Sequence, residues 1–235
     1  MSDFVLVHGA WHGAWCWQRV LPGLWRAGHR AFAVTLSGVG ERAHQLGPGI
    51  RLATHVQDVA AVIEAEELEQ AILVGHSYAG MVITGVADRL AERIARLVYL
   101  DATVPLPGEA WSSRHAPETQ AQRRALIAEQ GCLPPAPPSA FGLTAADAAW
   151  VERRQTPQPG GVYDDPLDFD ARRWAALPRH FIDCTEPALP TIAEARRRVR
   201  SQPGWQVQEI ATGHDAMISA PEALLAALLA LAGPG

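Results

Sequence analysis

A serine hydroxyl becomes a useful nucleophile only when a histidine takes its proton, and that histidine needs a carboxylate to fix its tautomer and stabilise the imidazolium. Ser77 lies in Gly75-His76-Ser77-Tyr78-Ala79-Gly80, between the apolar run Ala71-Ile72-Leu73-Val74 and the segment Met81-Val82-Ile83-Thr84-Gly85-Val86-Ala87. The first run reads as a strand buried on both faces and the second as a helix, which puts Ser77 on a sharp strand-to-helix turn. Such a turn lifts the hydroxyl above the sheet and aims the next backbone N–H, from Tyr78, at whatever the hydroxyl attacks. Small residues must flank it because strand and helix nearly touch. Here Ala79 stands where the usual elbow has glycine, a difference of one methyl. Taken alone, the motif also fits a chance Gly-x-Ser in an ordinary loop, so the remaining elements must decide.

Those elements alternate. Phe4-Val5-Leu6-Val7 and Ala31-Phe32-Ala33-Val34-Thr35-Leu36 read as strands, and between them a glycine-bearing loop, His8 to Trp15, leads into a helix ending near Gly28. An exposed N–H in that loop could complete an oxyanion hole. Thr54 is the expected cap of a helix carrying Val56, Val59, Ala60, Val62 and Ile63 on one face. After the elbow helix comes the strand Arg96-Leu97-Val98-Tyr99-Leu100-Asp101, so the first part of the chain predicts a parallel sheet with right-handed crossovers. The alternation then breaks between Thr103 and Pro178, where proline clusters and two helix candidates, Glu118 to Gln130 and Thr144 to Arg154, read as an inserted cap. Trp111, Phe141, Trp150, Tyr163 and Trp174 are its candidate pocket walls, each weighed against simple packing in the cap's own core. The cap offers aromatic and aliphatic side chains and little concentrated charge.

Alternation resumes with the strand His180-Phe181-Ile182-Asp183-Cys184, a helix opened by the capping box Thr191-x-x-Glu194, and Trp205 to Ile210 as a strand with one wetter side. The run Arg196-Arg197-Arg198-Val199-Arg200 reads as a solvated face. His214 sits just past the last strand, and Ser219-x-x-Glu222 with Pro221 opens a final helix. The order is Ser77, an acid after the penultimate strand, then His214, each delivered by a strand end to the same sheet edge. His8, His12 and His76 read as locally bonded or packed, and the His8/His12 spacing on a glycine loop suggests no metal site.

Composition narrows the class. The chain has 235 residues, 48% of them hydrophobic and 19% charged, which suits one α/β domain and excludes a disordered or coiled-coil protein. A formal net charge of −5 leaves no electrostatic footprint for nucleic acid. Cys16, Cys132 and Cys184 have neither paired nor metal-type spacing and read as reduced thiols. With no export signal expected at Met1-Ser2-Asp3-Phe4 and no apolar run of membrane length, the expected location is cytoplasmic.

Four segments together carry a resemblance. His8-Gly9-Ala10-Trp11-His12-Gly13-Ala14-Trp15-Cys16-Trp17, Gly75 to Gly80, Leu97-Val98-Tyr99-Leu100-Asp101-Ala102 and Gly213-His214-Asp215 resemble the α/β-hydrolase group of plant methyl esterases, hydroxynitrile lyases and bacterial pyrethroid-type carboxylesterases. Thr35 to Arg42 looks most like the bacterial branch. The resemblance implies an α/β-hydrolase fold: a single domain over residues 1–235, with a mostly parallel, doubly wound sheet and a helical cap over about 103–178, inserted after the strand ending at Asp101. It implies Ser77 as nucleophile, His214 as base, and the Ala10 and Tyr78 amides as oxyanion hole. The group's acid is usually an Asp in Cys-Thr-x-Asp-x-x-x-Pro; here Cys184-Thr185-Glu186-Pro187-Ala188-Leu189-Pro190 is one residue shorter, and alignment from Pro190 puts Glu186 in the acid's place. Asp101 is the rival, at a strand end where some members of the wider fold carry their acid, and Asp183 lies within its strand.

The leading expectation is a serine carboxylesterase acting on a small, rather apolar ester through an acyl-enzyme, with no cofactor and no metal. A lyase of the same group typically has Thr or Asn after the first-loop histidine and, in one plant branch, Lys after the catalytic histidine. Here those positions are Gly9 and Asp215. A non-catalytic receptor for a small molecule is the third reading. The expected partner is a small-molecule ester, with no nucleic acid and no membrane, and a homodimer is the oligomeric state allowed for.

Overall fold

Branched and apolar residues in short runs give the strands, and turn residues separate them. In the computed structural model, which describes residues 1–232, β1 (Asp3–Val7) leads through a loop to α1 (Leu21–Arg26), with Gly28 at φ +82 ending that helix, and then β2 (Arg30–Val34). The chain continues through α2 (Leu52–Ala65), β3 (Ala71–His76), α3 (Ala79–Leu90) and β4 (Ile94–Leu100). It then leaves the main sheet. This excursion holds the short strands β5 (Glu109–Ala110), β6 (Cys132–Leu133), β7 (Gln158–Pro159) and β8 (Pro166–Leu167), and the helices α4 (Pro117–Gln130), α5 (Ala145–Glu152) and α6 (Ala171–Ala175). β5 pairs with β8 and β6 with β7, both antiparallel. The core resumes with β9 (Arg179–Cys184), α7 (Ala193–Ser201), β10 (Trp205–Ile210), α8 (Ala216–Ser219) and α9 (Pro221–Leu231).

The six-stranded sheet has the order β10-β9-β4-β3-β1-β2, and its neighbouring strands all run parallel. Both faces are therefore covered by crossovers, and the central strands β3 and β9 are buried along their whole length. β10 is the exception: it closes one margin of the sheet, and Gln206 to Glu209 are all exposed instead of alternating. Its position as the last strand overrides the period-two pattern. In an open parallel sheet the carboxyl ends of the strands form the ligand edge, and Ser77, Asp101, Glu186 and His214 all follow carboxyl ends.

Three expected caps differ. Thr54 is the third residue of α2, not its cap, and its hydroxyl accepts from Arg51 N–H at 3.1 Å. A 3-10 turn, Pro190–Ile192, precedes α7, so the Thr191/Glu194 box does not form. Ser219 belongs to α8 and is 2.7 Å from Thr212 Oγ1, leaving α9 to open at Pro221 without a side-chain cap. Among the described residues, no helix is long and apolar enough to cross a membrane.

Candidate active site

β3 delivers Ser77 to the ligand edge with its backbone at φ 55. That left-handed geometry costs a non-glycine residue on the order of 1–3 kcal/mol, and neighbouring backbone over-determines it. Ser77 N–H donates to Leu100 O at 3.2 Å, while Ser77 O accepts from Thr103 N at 3.0 Å and Gly80 N at 3.2 Å. The tight approaches fall on two glycines. A Cβ on Gly75 would meet Ala79 O at 2.8 Å and one on Gly80 would meet Thr103 O at 1.8 Å, whereas the Ala79 methyl is accommodated in the core. The departure at position 79 is therefore harmless to the turn.

The two amides expected to hold an oxyanion are oriented by their neighbours. Behind Tyr78, His55 Nε2 donates to Ser37 O at 2.9 Å, which leaves Nδ1 to accept from Tyr78 Oη at 3.0 Å. Burial pushes His55 down to about 4, so its ring is neutral and suited to that role. In the loop after β1, His12 Nδ1 donates to Ala10 O at 2.8 Å and Trp11, at φ 66, donates its N–H to Gln158 Oε1 at 3.0 Å. Neither the Ala10 nor the Tyr78 N–H has an acceptor among the described residues. Both are available to a ligand.

The acid is where the sequence reading is corrected. His214, 2% exposed, donates from Nδ1 to Asp101 Oδ2 at 2.6 Å, and Asp101 is wholly buried. Glu186 is exposed and makes no contact with the imidazole; its N–H is drawn to Thr212 O at 2.9 Å, and Thr185 bridges back to Ala188. That turn closes on itself and carries the Glu186 side chain outward, and an extra methylene cannot reverse the direction. Asp101 reaches the histidine because β4 lies directly beside β3 and the chain turns at φ 40 as it leaves the strand. The Asp183 carboxylate is taken by Arg196 and Arg200 and makes no hydrogen bond to His214 among the described residues.

Arg196, assigned from sequence to a solvated face, is the residue that reasoning missed. Its Nε donates to Asp183 Oδ1, Nη1 to Leu189 O at 2.7 Å, and Nη2 to Asp101 Oδ1 at 2.6 Å and Cys184 O at 3.1 Å. One guanidinium thus holds both buried carboxylates at the ends of β4 and β9. The signal available in the sequence was two aspartates in buried strands needing a cation. Arg197 on the same helix is exposed and matches the solvated reading.

Behind His214 lies a second polar layer. His76 Nε2 donates to His214 O at 3.0 Å, and Asp215 Oδ2 is 3.3 Å from His12 Nε2. Burial alone would raise the Asp215 carboxyl, but His12 beside it holds it down at about 2, and Asp215 in turn raises His12 against its own burial. Donor atoms of His76, His214 and Asp215 come within 4.8 Å of one another. A metal there would take the imidazole that Asp101 orients, so the cluster is read as a positioning layer. His8 bonds Gly9 O at 2.7 Å and Leu36 N at 3.1 Å, the local role expected for it.

Ser77 and His214 line one cavity of about 170 Å³. Among the described residues neither Ser77 Oγ nor His214 Nε2 has a hydrogen-bond partner, and such catalytic contacts often close only around substrate. Of the five expected wall aromatics, Phe141 alone lines the cavity, joined by Trp11 from the first loop. Trp111 and Tyr163 are fully buried, Trp150 packs on Trp15, and Trp174 donates to Tyr99 Oη at 2.8 Å. The expectation of little concentrated charge also fails: Arg114 and Arg123 line the same cavity.

Comparison with known proteins agrees with this architecture. The chain is 43% identical over 98% of its length to a carbendazim hydrolyzing esterase from Nocardioides sp. (strain SG-4G), all of which is covered. It is 28% identical over 98% of its length to esterase PIR7B from Oryza sativa subsp. japonica, with 96% of that protein covered. An extracellular alpha/beta-hydrolase from a Paenibacillus species superposes with TM-score 0.88 over 100% of both chains at 21% identity, which speaks for the fold. A model described as the alpha/beta hydrolase family matches residues 4–228, and on that match the chain belongs to the alpha/beta hydrolase family.

Proposed function

We propose that the protein is a serine carboxylesterase in which Ser77 attacks an ester carbonyl, His214 is the general base and Asp101 the orienting acid. The observation that carries this reading is the 2.6 Å contact between His214 Nδ1 and Asp101 Oδ2, which leaves Nε2 as the nitrogen facing the cavity that Ser77 lines. Attack forms the Ser77 Oγ–C bond and passes the hydroxyl proton to Nε2. The Ala10 and Tyr78 amides hold the oxyanion, and collapse expels the alcohol, which takes the proton from His214. Water then repeats the sequence on the acyl-enzyme, releasing the acid and restoring Ser77.

The excursion from 101 to 178 acts as a cap, and the cavity it closes favours a small ester with an apolar body against Trp11 and Phe141. The Nocardioides relative makes carbendazim a first compound to try. Three free cysteines, two of them buried, support a reducing, cytoplasmic setting. A lyase reading is disfavoured at Gly9. A Cβ there would lie 2.7 Å from His76 Nδ1 and 2.9 Å from Ser77 Cβ, so the polar residue that lyases of the resembled group carry at this position has no room.

The test is labelling by a serine-directed fluorophosphonate together with a turnover screen over aryl, alkyl and methyl esters. Wild type should label and hydrolyse esters, and Ser77→Ala should lose both while melting at nearly the same temperature. A folded wild type that neither labels nor turns over any ester, or that cleaves only cyanohydrins, would sink the proposal.

A further inference from the structure

Arg114 ends the 3-10 turn Trp111–Arg114 and Arg123 lies on α4, and both line the cavity that holds Ser77 and His214. Neither guanidinium has a carboxylate partner among the described residues. Arg114 Nη1 donates to Thr103 Oγ1 at 2.7 Å, and its Nε is buried with no acceptor among the described residues. Arg123 Nη1 donates to His115 Nε2 at 3.0 Å, and burial, helped by the two arginines, pushes that imidazole down to about 2.

The neighbouring carboxylates are already engaged. Asp101 is held by Arg196 and His214, Asp215 by His12 and His76, and Glu109 and Glu194, which share a cleft with Arg114, by Arg198. Aromatic faces supply what remains: the Arg123 guanidinium lies 5.8 Å from the Trp11 ring, 5.4 Å from Trp111 and 5.6 Å from Tyr163, and Arg114 lies 5.6 Å from Trp111. Ring faces attract a cation but accept few of its N–H groups. Two like charges set side by side on a desolvated wall, with donors unspent, are costly until an anion arrives. Burial and Arg123 accordingly hold Arg114 down to about 9.

We propose that Arg114 and Arg123 form an anion subsite of the ester pocket, and that the preferred substrate is an ester carrying a free carboxylate beyond a flat apolar body. The proposal rests on the esterase reading and adds to it the substrate's charge. A guanidinium fork matches a carboxylate in shape as well as charge. The cavity of about 170 Å³ has room for a flat aromatic body, since an apolar cavity of ~150 Å³ holds benzene. Trp11 and Phe141 flank the space such a ring would fill.

The probes are the 3- and 4-carboxy methyl benzoates and their carboxamide counterparts, which keep the acceptor oxygen and delete the charge. For wild type, kcat/KM for the better carboxylate isomer should exceed that of its carboxamide at least tenfold, with the ratio shrinking as salt is added. Arg114→Met and Arg123→Met should each lower that ratio tenfold or more, mainly through KM for the carboxylate ester, and the lysine variants should restore part of it. A wild-type ratio at or below one for both isomers, or a ratio unchanged in folded variants, overturns the subsite. Thermal stabilisation of Ser77→Ala by the carboxylate ester over its carboxamide reads the subsite with no turnover. Its loss is therefore separable from failure of the serine mechanism: labelling and neutral-ester hydrolysis without charge selectivity rejects the subsite alone.

Discussion

At the scale of single residues, the substitution that separates the two candidate acids is the informative one. Asp101→Asn should lower kcat on the order of 10⁴-fold, by analogy with the serine-protease case in which the imidazole is left in the wrong tautomer. Glu186→Gln, at an exposed position outside the cavity, should leave kcat within about twofold. Steady-state kinetics on any accepted ester decides it, and a severe loss in Glu186→Gln with Asp101→Asn active would restore the sequence alignment's choice. The placement of Ser77 and His214 at one cavity was legible because strand, turn and order each pointed to it. The acid was not, because spacing from Pro190 says where a residue stands along a loop and nothing about which way the loop turns. The direction is set by the bond from Glu186 N–H to Thr212 O, a contact between segments that the sequence keeps far apart.

Elements explain why Asp101 can serve from β4. The sheet order sets β4 between β3 and β9, and α7 lays Arg196 across the ends of β4 and β9. Removing that cation takes the donor from one oxygen of each buried carboxylate, while Asp101 keeps His214 and Asp183 keeps Arg200, a loss on the order of 1–3 kcal/mol for each buried acceptor left unsatisfied. Arg196→Met is therefore expected to lower the urea midpoint sharply and to reduce kcat in the fraction that folds. Arg196→Lys, which keeps the charge but not the fork, should fall between. Equal stability in wild type and Arg196→Met would remove the clamp from the account. Strand positions were legible from apolar runs, and the two longer helices of the excursion fall where the sequence placed its candidates, whereas the contacts of the arginine run on α7 were not legible. A charge-rich helix looks solvated from its own sequence, and the acids that claim Arg196 lie on strands more than ten residues away.

For the whole molecule, the buried neutral histidines tie stability to pH. Burial pushes His8 down to about 3 and His55 to about 4, below the ordinary value near 6.5. The unfolded chain therefore binds protons that the folded one refuses. Their stabilisation is complete above about pH 6.5 and is lost as pH falls from there toward the folded values. Between pH 7 and pH 5 the two together should cost on the order of 4 kcal/mol, from about 1.4 kcal/mol per group per pH unit. His12, raised by Asp215, acts in the opposite sense: its contribution is full below about 6.5 and is lost as pH rises through its folded value. Urea unfolding at pH 7 and pH 5 with a constant slope checks this, and an unchanged midpoint would count against neutral burial. The histidine loop carries a different lesson for this molecule. His214 N–H donates to Phe141 O at 3.0 Å, and a Cβ on Gly213 would strike that same oxygen at 2.4 Å, so His214 is moored to the excursion as well as to β10. The sheet core and the excursion are not separable modules. A chimera that imports a foreign segment between β4 and β9 would have to retain the backbone course at Phe141 and Gly142, or it would displace His214 along with the cavity wall at Phe141.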